Sequence, residues 1–227
     1  MPNIKTLKNM SIEYYKDLIS TLPVREQSFT TKRTTWSQRE KQFSWFKEIN
    51  DSLFQNEKTL IINRKDIFET SDFKEKIIKT IYWGYPSGMR GKNAENILNS
   101  IESIEEVFNE LKQTMNPTEE NLNEFIRNIK GSDIRGLGLS TYSKLLYFSN
   151  ITFNNNPCLI LDRRLINVFS NKVYKEFNSL RNIKYDNAEK SYYQYIELMH
   201  NIAQEMNTNA ENIEQFLFIF GNTLKPS

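Results

Sequence analysis

The chain has 227 residues, of which 38% are hydrophobic, 13% aromatic and 26% charged. This size and composition suit a globular protein of one large domain or two small subdomains, and the net charge of +2 is too small to indicate nucleic-acid binding by itself. The only cysteine is Cys158 and the only histidine is His200, which argues against a disulfide framework, an iron–sulfur cluster and a structural zinc site.

The first 70 residues are predicted to form a helical region that packs on the rest of the chain. Apolar residues at three- and four-residue spacing predict helices over 9–20 and 37–56, and the run LIINRKDIFETS leaves room for one short extended piece. The opening MPNIKTLKNM lacks the apolar segment of a signal peptide, and no run approaches membrane-spanning length. We therefore expect a cytoplasmic protein.

Residues 71–227 are predicted to be helical throughout. The predicted helices cover 72–83, 93–111 (as one or two helices), 119–129, 140–149, a segment from about 163, 188–206 and 210–220. The run GYPSGMRGK is rich in helix breakers and ends the first of them, an Asn-rich loop covers 152–156, and Gly221 is expected to stop the last helix. Internal repeats and alternating strands are not evident, so the predicted fold class is all-α.

Six of the seven glycines lie in two clusters, within 84–91 and 131–138. The second cluster continues as GLGLST over 136–141, which places two hydroxyl residues where a helix can begin. A helix that begins there exposes backbone N–H groups and the positive end of its dipole, and both favour phosphate. Residues 130–175 also carry seven Lys or Arg against two Asp, as docking of a nucleic-acid backbone requires.

The helix predicted over 119–129, the GLGLS turn and the helix over 140–149 have the layout of a helix-hairpin-helix module, which grips the DNA backbone without reading sequence. Asp162 follows Ser140 by 22 residues and comes directly after the apolar run CLIL. With this aspartate, and with WGYPSGMRG, LSTYSKLLYF, LILDRR and IEQFLF, the chain resembles the helix-hairpin-helix DNA glycosylase superfamily. It is also similar to bacterial proteins of the 8-oxoguanine glycosylase fold, over about residues 74–221.

The resemblance implies two helical subdomains with the active-site cleft between them. It does not extend to the N-terminal region, 1–70, so the chain is divided into that region and a glycosylase core, 71–227. Within the core it implies a hairpin at 135–140 and a catalytic loop at 157–163. It also implies base excision, in which one nucleotide is flipped out of the duplex and its N-glycosidic bond is broken. The expected partner is double-stranded DNA, bound by a monomer. No metal or cofactor is expected, except a monovalent cation that the hairpin could hold.

Asp162 is the carboxylate that the resemblance places beside the sugar. It would stabilise an oxocarbenium-like deoxyribose as the base leaves, or orient the attacking nucleophile. The alternative interpretation is a helix N-cap, because an aspartate before RRLINVF suits that position. The two roles are compatible.

In strand-nicking members of the superfamily, a nucleophilic lysine lies four positions after the first hairpin glycine. This chain has Ser140 at that position, which favours a monofunctional enzyme that uses water. Lys144 lies one helical turn later on the same face. It remains open as a displaced catalytic nucleophile, as a pocket residue, or as a lysine that contacts phosphate or solvent.

The remaining site residues form two groups. Comparable regions of the family build the pocket for the flipped base, and they suggest Trp83, Tyr85, Gln215 and Phe218; ordinary core packing is the alternative for the aromatic residues. The DNA backbone is expected to contact the hairpin and two arginines, namely Gly136, Leu137, Gly138, Ser140, Thr141, Arg163 and Arg164.

Three functions remain open from the sequence. The first is a glycosylase that acts on a damaged base such as an oxidised purine. The second is a glycosylase of the same fold directed at a modified base in phage DNA, which would be a defence role. The third is a non-catalytic DNA-binding module in which Asp162 is only a cap. An aspartate at this spacing, together with an aromatic–glycine cluster, favours an enzyme over the third.

Overall fold

The chain folds into two groups of elements, both of them mainly helical, which confirms the predicted all-α fold class. The structure is a computed structural model that describes residues 10–132 and 134–223. We call Arg25–Ile151 the hairpin unit; the described residues up to Val24 and from Thr152 onward form the aspartate unit. None of the helices in these ranges combines the length and apolarity needed to cross a bilayer. The division at residue 70 and the cleft between subdomains stay predictions.

The secondary structure of the described residues is as follows. The helices are α1 Lys16–Ser20, α2 Arg33–Glu40, α3 Ser44–Phe54, α4 Arg64–Phe68, α5 Phe73–Gly84, α6 Asn93–Asn99, α7 Ile101–Gln113, α8 Glu119–Gly131, α9 Leu139–Phe148, α10 Arg163–Ser170, α11 Tyr192–Glu205 and α12 Ala210–Phe220. Short 3₁₀ helices lie at Ile12–Tyr15, Lys175–Leu180 and Ala188–Ser191. The strands are β1 Ser28–Lys32, β2 Thr59–Asn63, β3 Thr152–Phe153 and β4 Asn156–Pro157.

An antiparallel sheet lies inside the region predicted to be helical. Strands β1 and β2 pair with Phe29 opposite Ile62, so this region contains one strand, β1, that was not predicted. The extended piece expected within LIINRKDIFETS is confirmed as part of β2. The reason is local, because SFTTK and TLIIN are rich in β-branched and aromatic residues, which favour paired strands.

One predicted helix is divided in two, and a segment predicted as one or two helices forms two. The helix predicted over 37–56 is α2 and α3, separated at Phe43, whose backbone is extended (φ −131°, ψ 105°). The segment 93–111, for which one or two helices were equally compatible with the sequence, is α6 and α7, which meet at Ser100. The other predicted helices agree with the structure to within a few residues.

Helix α5 is the centre of the hairpin unit, where it packs against α9 and against both strands of the β1–β2 sheet. Its Tyr82 is fully buried and stacks on Trp36, with ring centroids 4.6 Å apart. The Tyr82 hydroxyl donates a hydrogen bond to Asn50 Oδ1 in α3, which satisfies a polar group that burial would otherwise penalise. These contacts fix the end of α5, from which the first glycine cluster follows.

The core of the aspartate unit is formed by α10, α11 and α12. The loop predicted over 152–156 is instead a tight hairpin between β3 and β4. Its two central residues, Asn154 and Asn155, have left-handed φ values of 48° and 64°, which asparagine tolerates and which such turns require. Gly221 follows α12 as predicted, but its φ of −60° is right-handed. A Cβ there would lie 2.6 Å from a Val168 methyl group, so this glycine is needed for space.

Candidate active site

The turn between α8 and α9 is held by Gly136. Its φ is +97°, and an added Cβ would lie 2.6 Å from the Cβ of Asn93 at the start of α6. A side chain is therefore excluded both by backbone conformation and by space. The turn also buries Leu137, whose N–H donates to the carbonyl oxygen of Ile134. The predicted helix–turn–helix layout is thus present in the structure.

Gly138 is different, because the space around it is empty. It is exposed, its φ of −76° suits any residue, and an added Cβ would meet no heavy atom within 4 Å beyond those of its chain neighbours. It is the N-cap of α9 and offers no side-chain oxygen to the first turn. The first N–H groups of a helix have no partner inside the helix, so this end of α9 is open to an anion.

Tyr85 supports the hairpin from the end of α5. Its hydroxyl lies 2.8 Å from Thr141 Oγ1 and 3.4 Å from Ser140 Oγ. Thr141 in turn donates to the carbonyl oxygen of Gly136 at 2.8 Å. The first glycine cluster and the hairpin are therefore connected through one tyrosine, a link that the sequence pattern alone did not reveal.

Lys144 is buried, with 3% of its surface exposed. Side chains on a helix lean toward its N-terminus, and Nζ donates to the carbonyl oxygen of Ser140 at 2.6 Å and to its hydroxyl at 3.1 Å. Nζ also lies 5.4 Å from the centre of the Tyr85 ring. The interpretation of Lys144 as a surface lysine is thus wrong, because its stem fills the space left by Gly84 in α5.

A basic groove of about 350 Å³ lies beside the hairpin. Both of its charged side chains, Lys92 and Arg135, are exposed. The lining is completed by polar side chains of α6 and its C-terminal end and by one apolar residue, namely Asn96, Asn99, Ser100 and Ile134. The groove can therefore accept an anionic chain next to the open end of α9.

Trp83 lies in the core of the hairpin unit. It is 3% exposed, its ring centroid lies 5.2 Å from that of Phe29, and the guanidinium of Arg64 lies 5.1 Å above its ring. Its indole N–H donates to the carbonyl oxygen of Gln27. These contacts give Trp83 a packing role within this unit, and the base-pocket role stays a prediction.

Asp162 is the N-cap of α10. Its Oδ1 accepts hydrogen bonds from the N–H groups of Arg164 at 2.9 Å and Leu165 at 3.3 Å, which confirms the cap interpretation. Both hydrogen bonds use the same carboxylate oxygen, Oδ1. The side chain is partly exposed, so Oδ2 remains available, and a second role is compatible with the cap.

The two arginines after Asp162 are exposed, and each lies over an aromatic ring. The guanidinium of Arg163 is 5.5 Å from the centre of the Tyr185 ring, and that of Arg164 is 4.6 Å from the Phe218 ring. Such contacts restrain a long side chain while leaving its charge accessible. Phe218 thus lies beside α10, on the partly exposed face of α12.

Gln215 is buried in α12, with 2% of its surface exposed. Among the residues that the structure describes, its side-chain carbonyl oxygen Oε1 has no hydrogen-bond partner. A buried acceptor without a partner costs free energy, and the base-pocket role of Gln215 stays a prediction.

Three side chains of α11 hold the segment that leads to Asp162. The hydroxyls of Tyr192 and Tyr195 donate to the carbonyl oxygens of Leu159 and Ile160, each at 2.8 Å, and His200 Nε2 lies 2.9 Å from the carbonyl oxygen of Pro157. Sequence reasoning missed these residues. Tyrosines at helical spacing look like ordinary core residues, and only the three-dimensional structure shows which backbone they support.

The structure thus defines a helical protein with an open helix N-terminus after a glycine turn and a capping aspartate after a buried segment without regular secondary structure. Over residues 22–218 the chain matches the family described as "Putative 8-oxoguanine DNA glycosylase OGG-like protein". Because this match covers most of the chain, the chain belongs to that family, and the resemblance inferred from the sequence is confirmed. The match begins at residue 22, earlier than the resemblance over 74–221. No curated protein and no solved structure matches the chain.

Proposed function

We propose that this protein is a DNA glycosylase that releases an oxidised purine, such as 8-oxoguanine, from duplex DNA. The observation that carries the proposal is the geometry of Asp162, in a chain that belongs to this family. Its carboxylate is held by two N–H groups through Oδ1, while the side chain is partly exposed. A fixed carboxylate of this kind suits the stabilisation of positive charge on a sugar.

The proposed reaction breaks the bond between C1′ of deoxyribose and the base nitrogen. The bonding electrons leave with the base, and positive charge develops on C1′ and the ring oxygen of the sugar. Oδ2 of Asp162 stabilises this charge, and water then adds to C1′ and loses a proton, while the departed base gains one. The products are the free base and an abasic site in an intact strand.

The DNA backbone is proposed to bind the open N-terminus of α9. Two features support this. The first is the empty space at Gly138, which lets a phosphate approach the N–H groups closely. The second is the adjacent groove with Lys92 and Arg135, whose positive charges suit a phosphate chain. In the aspartate unit, Arg163 and Arg164 are proposed to contact DNA phosphates.

Base recognition is proposed to use Gln215. Its unpartnered Oε1 is an acceptor, and the Watson–Crick edge of a guanine-type base offers N–H donors to an acceptor once the base is flipped out of the duplex. A site built to bind a donor rejects bases that lack one, because the acceptor then stays unsatisfied. Phe218 is proposed to supply the adjacent aromatic surface.

Water, rather than an amine, is the proposed nucleophile. Two residues support this. Ser140 occupies the position at which strand-nicking members carry the nucleophilic lysine, and Nζ of Lys144 donates hydrogen bonds to the carbonyl and hydroxyl oxygens of Ser140 within α9. Lys144 then has a structural role, in that it shapes the first turn of the hairpin helix.

The proposal is tested by incubating the full-length chain with duplexes that contain single lesions or phage-type modified bases, followed by detection of abasic sites. We expect release of an oxidised purine and strand cleavage only after alkali. Borohydride treatment should give no covalent protein–DNA adduct. Release of no base from any duplex would contradict the glycosylase assignment, and an adduct lost in Lys144→Gln would contradict the water mechanism.

A further inference from the structure

The segment between β4 and α10 is buried and lies in no helix or strand. Cys158, Leu159, Ile160 and Leu161 are each at most 1% exposed. A buried backbone must still satisfy its carbonyl oxygens, and here no neighbouring strand among the described residues does so. The hydroxyls of Tyr192 and Tyr195 do this for Leu159 and Ile160.

The two tyrosines form one rigid support. They lie three residues apart on α11, and their rings stack with centroids 6.2 Å apart. Both side chains are fully buried, so neither hydroxyl can exchange its bond for one to water. Burial raises the pKa of the neighbouring Cys158 thiol, although a hydrogen bond with Tyr192 opposes this effect; the thiol is therefore an inert part of the packing.

This support bears directly on Asp162. Before Asp162, the carbonyl oxygens of Leu159 and Ile160 are held by hydrogen bonds. After Asp162, the chain continues as the first turn of α10, which Asp162 caps. The backbone of Asp162 is therefore held on both sides. A displacement of about 1 Å in a catalytic group can cost roughly a hundredfold in rate.

We propose that Tyr192 and Tyr195 are positioning residues that set the carboxylate of Asp162 for base release. This inference rests on the proposed glycosylase function. It assigns to α11 a role in the reaction rate and none in DNA affinity, because neither hydroxyl reaches the surface.

The matched variants are Tyr192→Phe, Tyr195→Phe and, as control, Tyr193→Phe. Tyr193 lies on the same helix, and its hydroxyl donates to Glu197 and accepts from Asn154. Two readouts are used: amide hydrogen exchange at Arg164 and Leu165, whose N–H groups Asp162 caps, and single-turnover base release with DNA affinity measured separately.

We expect Tyr192→Phe and Tyr195→Phe each to accelerate exchange at these amides and to slow base release roughly tenfold, with DNA affinity changed less than about twofold. In an Asp162→Asn background the same changes should cost nothing further, because the carboxylate they position is gone. Tyr193→Phe should match the wild type.

Unchanged exchange and unchanged base release in both variants would overturn the positioning role, as would equal losses in the control or in the Asp162→Asn background. If the wild-type chain releases no base from any duplex, the glycosylase function fails. Hydrogen exchange at Arg164 and Leu165 then still tests whether the tyrosines hold the Asp162 cap. Exchange as slow as in the wild type, in both Tyr192→Phe and Tyr195→Phe, would show that they do not.

Discussion

The side-chain stem of Lys144 in α9 lies against Gly84 in α5, and a Cβ at Gly84 would approach Lys144 Cδ to 2.9 Å and Cε to 3.0 Å. A glycine in one helix thus makes room for a lysine stem from another. The same stem carries Nζ to the hydroxyl of Ser140, so the first glycine cluster shapes the turn that the second cluster begins.

This relationship predicts that Gly84→Ala destabilises the chain through Lys144. We expect a loss of about 1–3 kcal/mol in the free energy of unfolding, the usual cost of overpacking, as measured by chemical denaturation. Lys144→Ala removes the stem, so Gly84→Ala should cost much less in that background. Gly131→Ala is the control, because its Cβ would meet no atom within 4 Å. Additive effects of Gly84→Ala and Lys144→Ala would contradict this account.

Gly138→Ser separates stability from DNA binding at the hairpin. A serine at the N-cap supplies the oxygen that glycine lacks, and we expect it to stabilise the chain by a few tenths of a kcal/mol. The same hydroxyl occupies N–H groups proposed to bind phosphate, so affinity for duplex DNA should fall severalfold. Thermal unfolding and fluorescence anisotropy measure the two effects. Unchanged DNA affinity would argue against phosphate binding at this helix end.

Gln215→Met tests whether the unpartnered acceptor serves recognition. The substitution keeps the volume of the side chain and removes an oxygen that burial penalises by about 1–3 kcal/mol, so stability should be equal to or higher than that of the wild type. Discrimination between an oxidised purine and other bases should fall. A large loss of stability would show that the Gln215 amide serves the core.

His200 predicts a pH dependence of stability. Burial lowers the pKa of His200 from its ordinary value of 6.5, and the hydrogen bond with the Pro157 carbonyl only partly offsets this. His200 therefore binds a proton more readily in the unfolded chain than in the folded one. The stability that neutral His200 contributes is lost as the pH falls below about 6.5. Thermal unfolding between pH 8 and pH 5 should show this loss, and His200→Gln should reduce it. An equal slope in the variant would exclude His200 as the cause.

Much of the helical fold could be predicted from the sequence because periodicity and capping residues are local signals. Helix α12 begins and ends at the predicted residues, and the turn between α8 and α9 was predicted from the glycine cluster that includes Gly136. The β1–β2 sheet was missed because its strands are 26 residues apart along the chain, and pairing over that distance leaves no periodic pattern.

The site was harder to predict, since it depends on where side chains point. Asp162 was found because it follows a buried run and precedes a helix. The direction of Lys144 depends on a gap at Gly84, sixty residues earlier. The support from Tyr192 and Tyr195 depends on packing of α11 against a segment that is distant in sequence, for which the sequence has no local signal.

Asp162→Asn tests the central claim most directly, because asparagine caps a helix about as well as aspartate but cannot stabilise positive charge on the sugar. Single-turnover base release from an oxidised-purine duplex should fall by two to three orders of magnitude, the usual cost of removing one transition-state electrostatic contact, while the melting temperature and DNA affinity stay close to those of the wild type. Base release by Asp162→Asn at the wild-type rate would contradict the assignment of Asp162 as the catalytic carboxylate.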